Sequence, residues 1–170
     1  MGERKKYHRG RRKKKKGGII STLILIIAIA VFCVSGYQLY KIFGGYHQGK
    51  SEYDKVREVA VHGDDKDEDE FVVDFDELKK INADTVGWIR FYPEPSQISY
   101  PLVQTTDNDL YLNRTFSANE NTVGAIFVNC YNASDFSDRN TIIYGHRMRD
   151  HSMFHDLEKY KDESFWKENP

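Results

Sequence analysis

From residue 19 to residue 40 the chain reads IISTLILIIAIAVFCVSGYQLY, 22 positions without one charged side chain. At about 1.5 Å of rise per residue such a run makes roughly 33 Å of helix, enough to cross a hydrocarbon layer of about 30 Å. The pattern predicts a transmembrane helix. A cleavable signal peptide is the competing reading, because AIAVFCVSG supplies small residues of the kind found at cleavage sites. Beyond the run the pattern turns periodic. In SEYDKVREVAVH, Tyr53, Val56 and Ala60 fall at helical spacing behind Ser51, a capping residue type, and a short helix is expected. In VDFDELKKINADTVGWIRF, Asp74 stands where an N-cap belongs with Glu77 three residues on, and Phe75, Leu78 and Ile81 make an inward stripe that ends near Gly87.

Four strand-like runs follow, GWIRF, ISYPLVQ, VGAIFVN and NTIIYGH, with turn residues between them. They predict a mainly β fold with flanking helices, an antiparallel barrel or sandwich. DNDLYLNRTF, between the second and third runs, reads as a helical turn opened by Asp107 or Asn108, with Leu110, Tyr111 and Leu112 facing the core. HSMFHDLEKY sets Met153, Phe154, Leu157 and Tyr160 on one helical face, so a helix is expected after the last strand. DESFWKENP then leaves Phe165 and Trp166 without a closing element, and an incomplete domain is the expectation.

Charge divides the chain in two. Residues 1–16 carry ten Lys/Arg against one Glu, net +9, and the remainder carries 15 Lys/Arg against 25 Asp/Glu, net −10. Basic residues stay on the cytoplasmic side of a span, so the order predicts a single-pass protein with its N-terminus inside and everything after Tyr40 outside. A block this positive also attracts nucleic acid, but its place against an apolar span is explained by topology and anionic headgroups, and no nucleic acid partner is expected. GDDKDEDE, Gly63 to Glu70, packs six acids and one lysine into eight residues and reads as a solvated linker. The expected divisions are a basic tail over 1–18, an anchor over 19–40, a juxtamembrane helix and acidic linker over 41–70, and a folded domain over 71–170. The two cysteines, Cys33 in the span and Cys130 in FVNCYNAS, are not expected to pair, so the exported part is held without disulfides, as is ordinary in bacteria.

DTVGWIRF, ISYPLVQTTDNDLYLNRTF and VGAIFVNCYNASDFSDRNTIIYGHRMRDHSMFHDLEKYKDESFW, in that order and spacing, resemble the N-terminal part of a class B sortase catalytic domain. The resemblance covers roughly residues 71–170 and is most specific in NTIIYGHRM with SMFHDLEKY behind it. It implies a sortase-like β-barrel, incomplete over this stretch, and a membrane-anchored cysteine transpeptidase of Gram-positive bacteria. Such an enzyme cleaves the C-terminal sorting signal of a secreted protein at a threonine and passes the acyl group to a peptidoglycan amine of the cell wall. By the same resemblance His146 is the catalytic histidine, and Asn108, Leu112 and Tyr144 belong to or border the substrate groove. Alone, a histidine at a strand end is more often structural, and the other three also read as a helix cap, a core leucine and a strand aromatic.

The family's cysteine and arginine lie downstream of the histidine, and neither is matched here. Cys130 reads as a small structural thiol. No cofactor is implied. His151 and His155 stand one helical turn apart, a spacing that binds metals, but without a third ligand in view they read as a polar face and no metal is expected. The alternative function is a catalytically dead, membrane-tethered sortase-like binding or scaffolding protein.

Overall fold

The computed structural model describes residues 17–63 and 70–170; the basic block at residues 1–16 and the acidic linker residues 64–69 lie outside the described residues. Helix α1 (Gly17–Ala60) runs 44 residues without interruption. A separate helix beginning at Ser51 was expected, but no proline falls between Tyr40 and Ser51 and the glycines there cost only about 1 kcal/mol each. The helix crosses them. It is long and apolar enough to cross a membrane, by length and composition, and its apolar residues from Ile19 to Phe43 are exposed. The chain separates into two compact units, residues up to Tyr40 and residues Lys41–Pro170.

The last turns of α1 belong to the second unit. Tyr53, Val56 and Ala60 are part of its core, so the packed domain begins well before Phe71, where the acidic linker had suggested a boundary. Gly49 is buried against Val123, and a Cβ there would lie 2.9 Å from Val123 Cγ2. Strands β1 (Val61–His62) and β2 (Val72–Val73) pair antiparallel. Gly63 permits the close approach of its backbone to Glu70: it has φ +90°, and a Cβ would lie 1.8 Å from the Glu70 carbonyl oxygen.

Helix α2 (Phe75–Ile81) starts as expected, with the Asp74 carboxylate accepting from the amides of Asp76 and Glu77, both at 3.0 Å. Its stripe is narrower than the pattern suggested: Leu78 is buried, whereas Phe75 and Ile81 stay exposed, because a two-turn helix meets the core at one position.

Strands β3 (Thr85–Arg90), β4 (Ser99–Val103), β5 (Ile126–Val128) and β6 (Ile143–Tyr144) form one four-stranded sheet in that order. The pairs β3–β4 and β5–β6 are antiparallel, but β4–β5 is parallel, with Leu102 opposite Ile126 and Val103 opposite Phe127. An all-antiparallel arrangement was expected. The long connection from Gln104 to Ala125 carries the chain back to the start of the sheet, which only a crossover of this length permits. Among the described residues the sheet is open. Ile126, Phe127 and Val128 are all buried, each worth roughly 1.5–3 kcal/mol of apolar burial, so β5 is the sheet's centre of gravity. After β6 the chain forms a 3₁₀ segment (His155–Lys161) where an α-helix was expected, then helix α3 (Glu163–Glu168).

Candidate active site

His146 lies two residues past the end of edge strand β6, which is hydrogen-bonded to the buried β5. The strand is short and fixed, so it delivers the imidazole to a defined place at the sheet's end. Gly145 is needed for the approach, since a Cβ there would lie 2.6 Å from the Phe154 ring, and the Phe154 amide donates to the His146 carbonyl at 3.0 Å.

On the other side stands the crossover loop. Asp107 precedes its 3₁₀ turn (Leu110–Leu112) and accepts from the amides of Asp109 and Leu110 at 2.8 Å each, and these two bonds hold its carboxyl below the ordinary aspartate range. Tyr111 anchors the turn: its hydroxyl accepts from Asn82 Nδ2 at 2.7 Å and donates to Asp84 Oδ2 at 2.8 Å. Burial pushes that hydroxyl up to about 12. Leu110 and Leu112, expected to face the core with Tyr111, are instead partly exposed, as a 3₁₀ turn places successive residues on different sides.

The turn presents the Leu112 carbonyl oxygen to His146 Nε2 at 2.7 Å. A carbonyl only accepts, so Nε2 bears the proton in this contact. The imidazole is partly exposed and its protonated nitrogen is held at the rim of the domain. Gly124, within the strand-like run VGAIFVN, makes the arrangement fit. It has φ +65°, and a Cβ would lie 2.8 Å from both His146 Cδ2 and the Leu112 carbonyl oxygen. Its own carbonyl accepts from the Tyr53 hydroxyl at 2.9 Å, and that hydroxyl also takes the Phe116 amide at 3.2 Å. Burial holds the Tyr53 hydroxyl well above its ordinary range. Helix α1 therefore braces the loop beside the histidine.

The predicted site residues divide into two groups. His146 and Leu112 are in direct contact. Tyr144 and Asn108 converge instead on the loop after β5: the Tyr144 hydroxyl accepts from Asn129 Nδ2 at 3.0 Å while its ring lies 5.1 Å from Phe127, and Asn108 Oδ1 accepts from the Cys130 amide at 2.8 Å. A cavity of about 730 Å³ opens elsewhere, lined by Tyr53 and Arg57 of α1, Trp88 and Arg90 of β3, and Tyr100 of β4; none of the four predicted residues lines it.

No protein-family model matches the chain. Sortase B of Listeria monocytogenes is 34% identical over 155 residues, covering 86% of this chain and 60% of that protein. Sortase B of Staphylococcus aureus is 30% identical over 148 residues, covering 87% and 60%. The crystal structure of sortase B from Bacillus anthracis superposes with a TM-score of 0.65 at 35% identity, over 75% of this chain and 60% of that one. The chain thus spans about 60% of the length of the relatives it matches. In sequence and in fold the chain is similar to the sortase B proteins over that share of their length.

Proposed function

We propose that this chain supplies the histidine-bearing part of a membrane-anchored cysteine transpeptidase, which cleaves the sorting signal of secreted proteins and joins them to a cell-wall amine. The observation that carries the reading is the His146 imidazole, held at the end of β6 with its protonated Nε2 on the Leu112 carbonyl, in a chain 30–34% identical to two sortase B proteins. A free thiol near pKa 8.5 is mostly protonated at neutral pH, and an adjacent imidazolium favours the thiolate. The thiolate attacks the carbonyl carbon of the threonine, the carbon–nitrogen bond breaks, and His146 gives its Nε2 proton to the leaving amine. The resulting thioester is attacked by the acceptor amine, which forms the new amide and releases the thiol. An arginine of the family stabilises the oxyanion. Asn108, Leu112 and Tyr144 border the groove for the signal. The apolar part of α1 anchors the enzyme, with Lys41–Pro170 outside.

The nucleophile expected from the family belongs downstream of the histidine, so the test supplies one. The chain is fused to the part of Listeria monocytogenes sortase B that it does not match and assayed with a panel of fluorogenic sorting peptides. Cleavage is expected, and His146→Ala should abolish it by about 10³-fold or more while circular dichroism stays unchanged. Near-normal turnover in that variant would sink the assignment.

A further inference from the structure

The hairpin after His146 carries a second cluster of donor atoms. Arg147 and Met153 form an antiparallel bridge, and the turn between them brings His151, at φ +66°, back over the start of the 3₁₀ segment. The His151 and His155 rings have centroids 4.1 Å apart. One ligand atom each from His151, His155 and Asp156 lie within 4.8 Å of one another. The third ligand that the two-histidine spacing lacked is the neighbouring Asp156, a carboxylate buried beneath the turn.

Three details separate this cluster from an ordinary polar surface. His155 Nδ1 is hydrogen-bonded to the Met148 carbonyl, so Nδ1 carries the proton and Nε2 keeps its lone pair, as in imidazoles that bind metals. Asp156 Oδ2 is fixed by Lys159 Nζ at 2.9 Å, while Oδ1 lies 3.8 Å from His151 Nδ1. The carboxylate therefore offers one oxygen and is oriented through the other. The His151 side chain is 72% exposed, and its ring contacts in this cluster are with the other two proposed ligands. Ligand atoms around a tetrahedral ion at about 2.1 Å sit about 3.4 Å apart. The present 4.8 Å limit asks for a contraction of about 1.4 Å at most, which His151 can supply.

We propose that His151, His155 and Asp156 bind one divalent ion of the zinc class, with water as a fourth ligand, and that the ion clamps the hairpin behind His146. Two imidazoles and one carboxylate favour zinc, cobalt or nickel over calcium or magnesium, which take oxygen ligands. The Lys159 charge opposes the ion and sets a ceiling on affinity.

The full chain, metal-free in detergent micelles, is titrated with Zn²⁺ by calorimetry and with Co²⁺ by visible absorption. One equivalent is expected, with the intense visible bands of four-coordinate cobalt, and His151→Ala or His155→Ala should each weaken binding by about tenfold or more. His47→Ala and His62→Ala should leave it unchanged. His151 is exposed, so its variant tests the site without risk to the fold, which circular dichroism confirms. Absence of binding at millimolar ion, or binding equally tight in both cluster variants, overturns the proposal.

Discussion

Gly124 is the residue on which the geometry around His146 depends most closely. Its φ of +65° lies in the left-handed region, and the space where a Cβ would stand is bounded by the carbonyl oxygens of Tyr111 at 2.9 Å and Leu112 at 2.8 Å and by His146 Cδ2 at 2.8 Å. Two of those three atoms are backbone and cannot swing aside. Gly124→Ala is therefore expected to destabilise the domain by more than about 1 kcal/mol and to push the imidazole off the Leu112 carbonyl. Urea unfolding measures the first effect, and the His146 ring signals in a proton–carbon spectrum measure the second. Unchanged stability together with unchanged ring signals would show that the glycine is not required. Nothing in VGAIFVN marks this glycine as special, because a positive φ arises from how the loop meets the histidine 22 positions later. His146 itself stood out at once, since a polar, titratable group ending an apolar strand is conspicuous in one dimension. The Leu112 partner was visible only through family resemblance, as its contribution is a carbonyl that any residue possesses.

At the scale of elements, the strands were legible because alternation and turn residues are local signals, whereas their pairing was not. The parallel β4–β5 contact depends on the path of the loop from Gln104 to Ala125, and no periodicity encodes it. Helix α1 illustrates the same limit. Tyr53, Val56 and Ala60 were readable as one apolar face, but their place in the domain core follows from contacts far along the chain. One such contact gives a pH-dependent expectation. Glu52 accepts from the Ser117 amide at 3.0 Å and Asn119 Nδ2 at 3.1 Å. Partial burial, the largest influence, raises its pKa, yet hydrogen bonds from Thr115, Ser117 and Asn119 together outweigh it and leave the carboxyl below the ordinary 4.5. A depressed carboxyl adds stability that is present above the unfolded value and is lost as pH falls through the lower folded value. Acid should accordingly loosen α1 from the Thr115–Asn119 loop below about pH 4.5, and Glu52→Gln should flatten that part of the curve. Thermal melts at successive pH values provide the check, and a Glu52→Gln curve parallel to the original would remove this contact from the account.

On the scale of the whole molecule, the distribution of charge and hydropathy is the argument for the proposed orientation: the +9 block precedes the apolar run, and the acidic remainder follows it. Protease added to intact protoplasts should digest Lys41–Pro170 while a cytoplasmic control survives; an equally protected domain would reverse the orientation. The two thiols lead to a further expectation, that the 170-residue chain cleaves no sorting peptide unaided. Acyl transfer needs a thiolate within hydrogen-bonding reach of the imidazole and a donor for the oxyanion. Cys33 lies within the apolar run of α1. Cys130 follows β5 by two residues, its amide tied to Asn108 Oδ1, and the loop around it is held by Asn129 through the Tyr144 hydroxyl. The His146 Nε2 proton is directed at Leu112, on the crossover loop. Neither cysteine takes part in that contact, so the proton donor has no thiol partner in this arrangement. The chain in micelles, incubated with fluorogenic sorting peptides, should give background fluorescence, and Cys130→Ala should leave that background as it is. Peptide cleavage that disappears on Cys130→Ala would make Cys130 the nucleophile and require the loop after β5 to move onto His146.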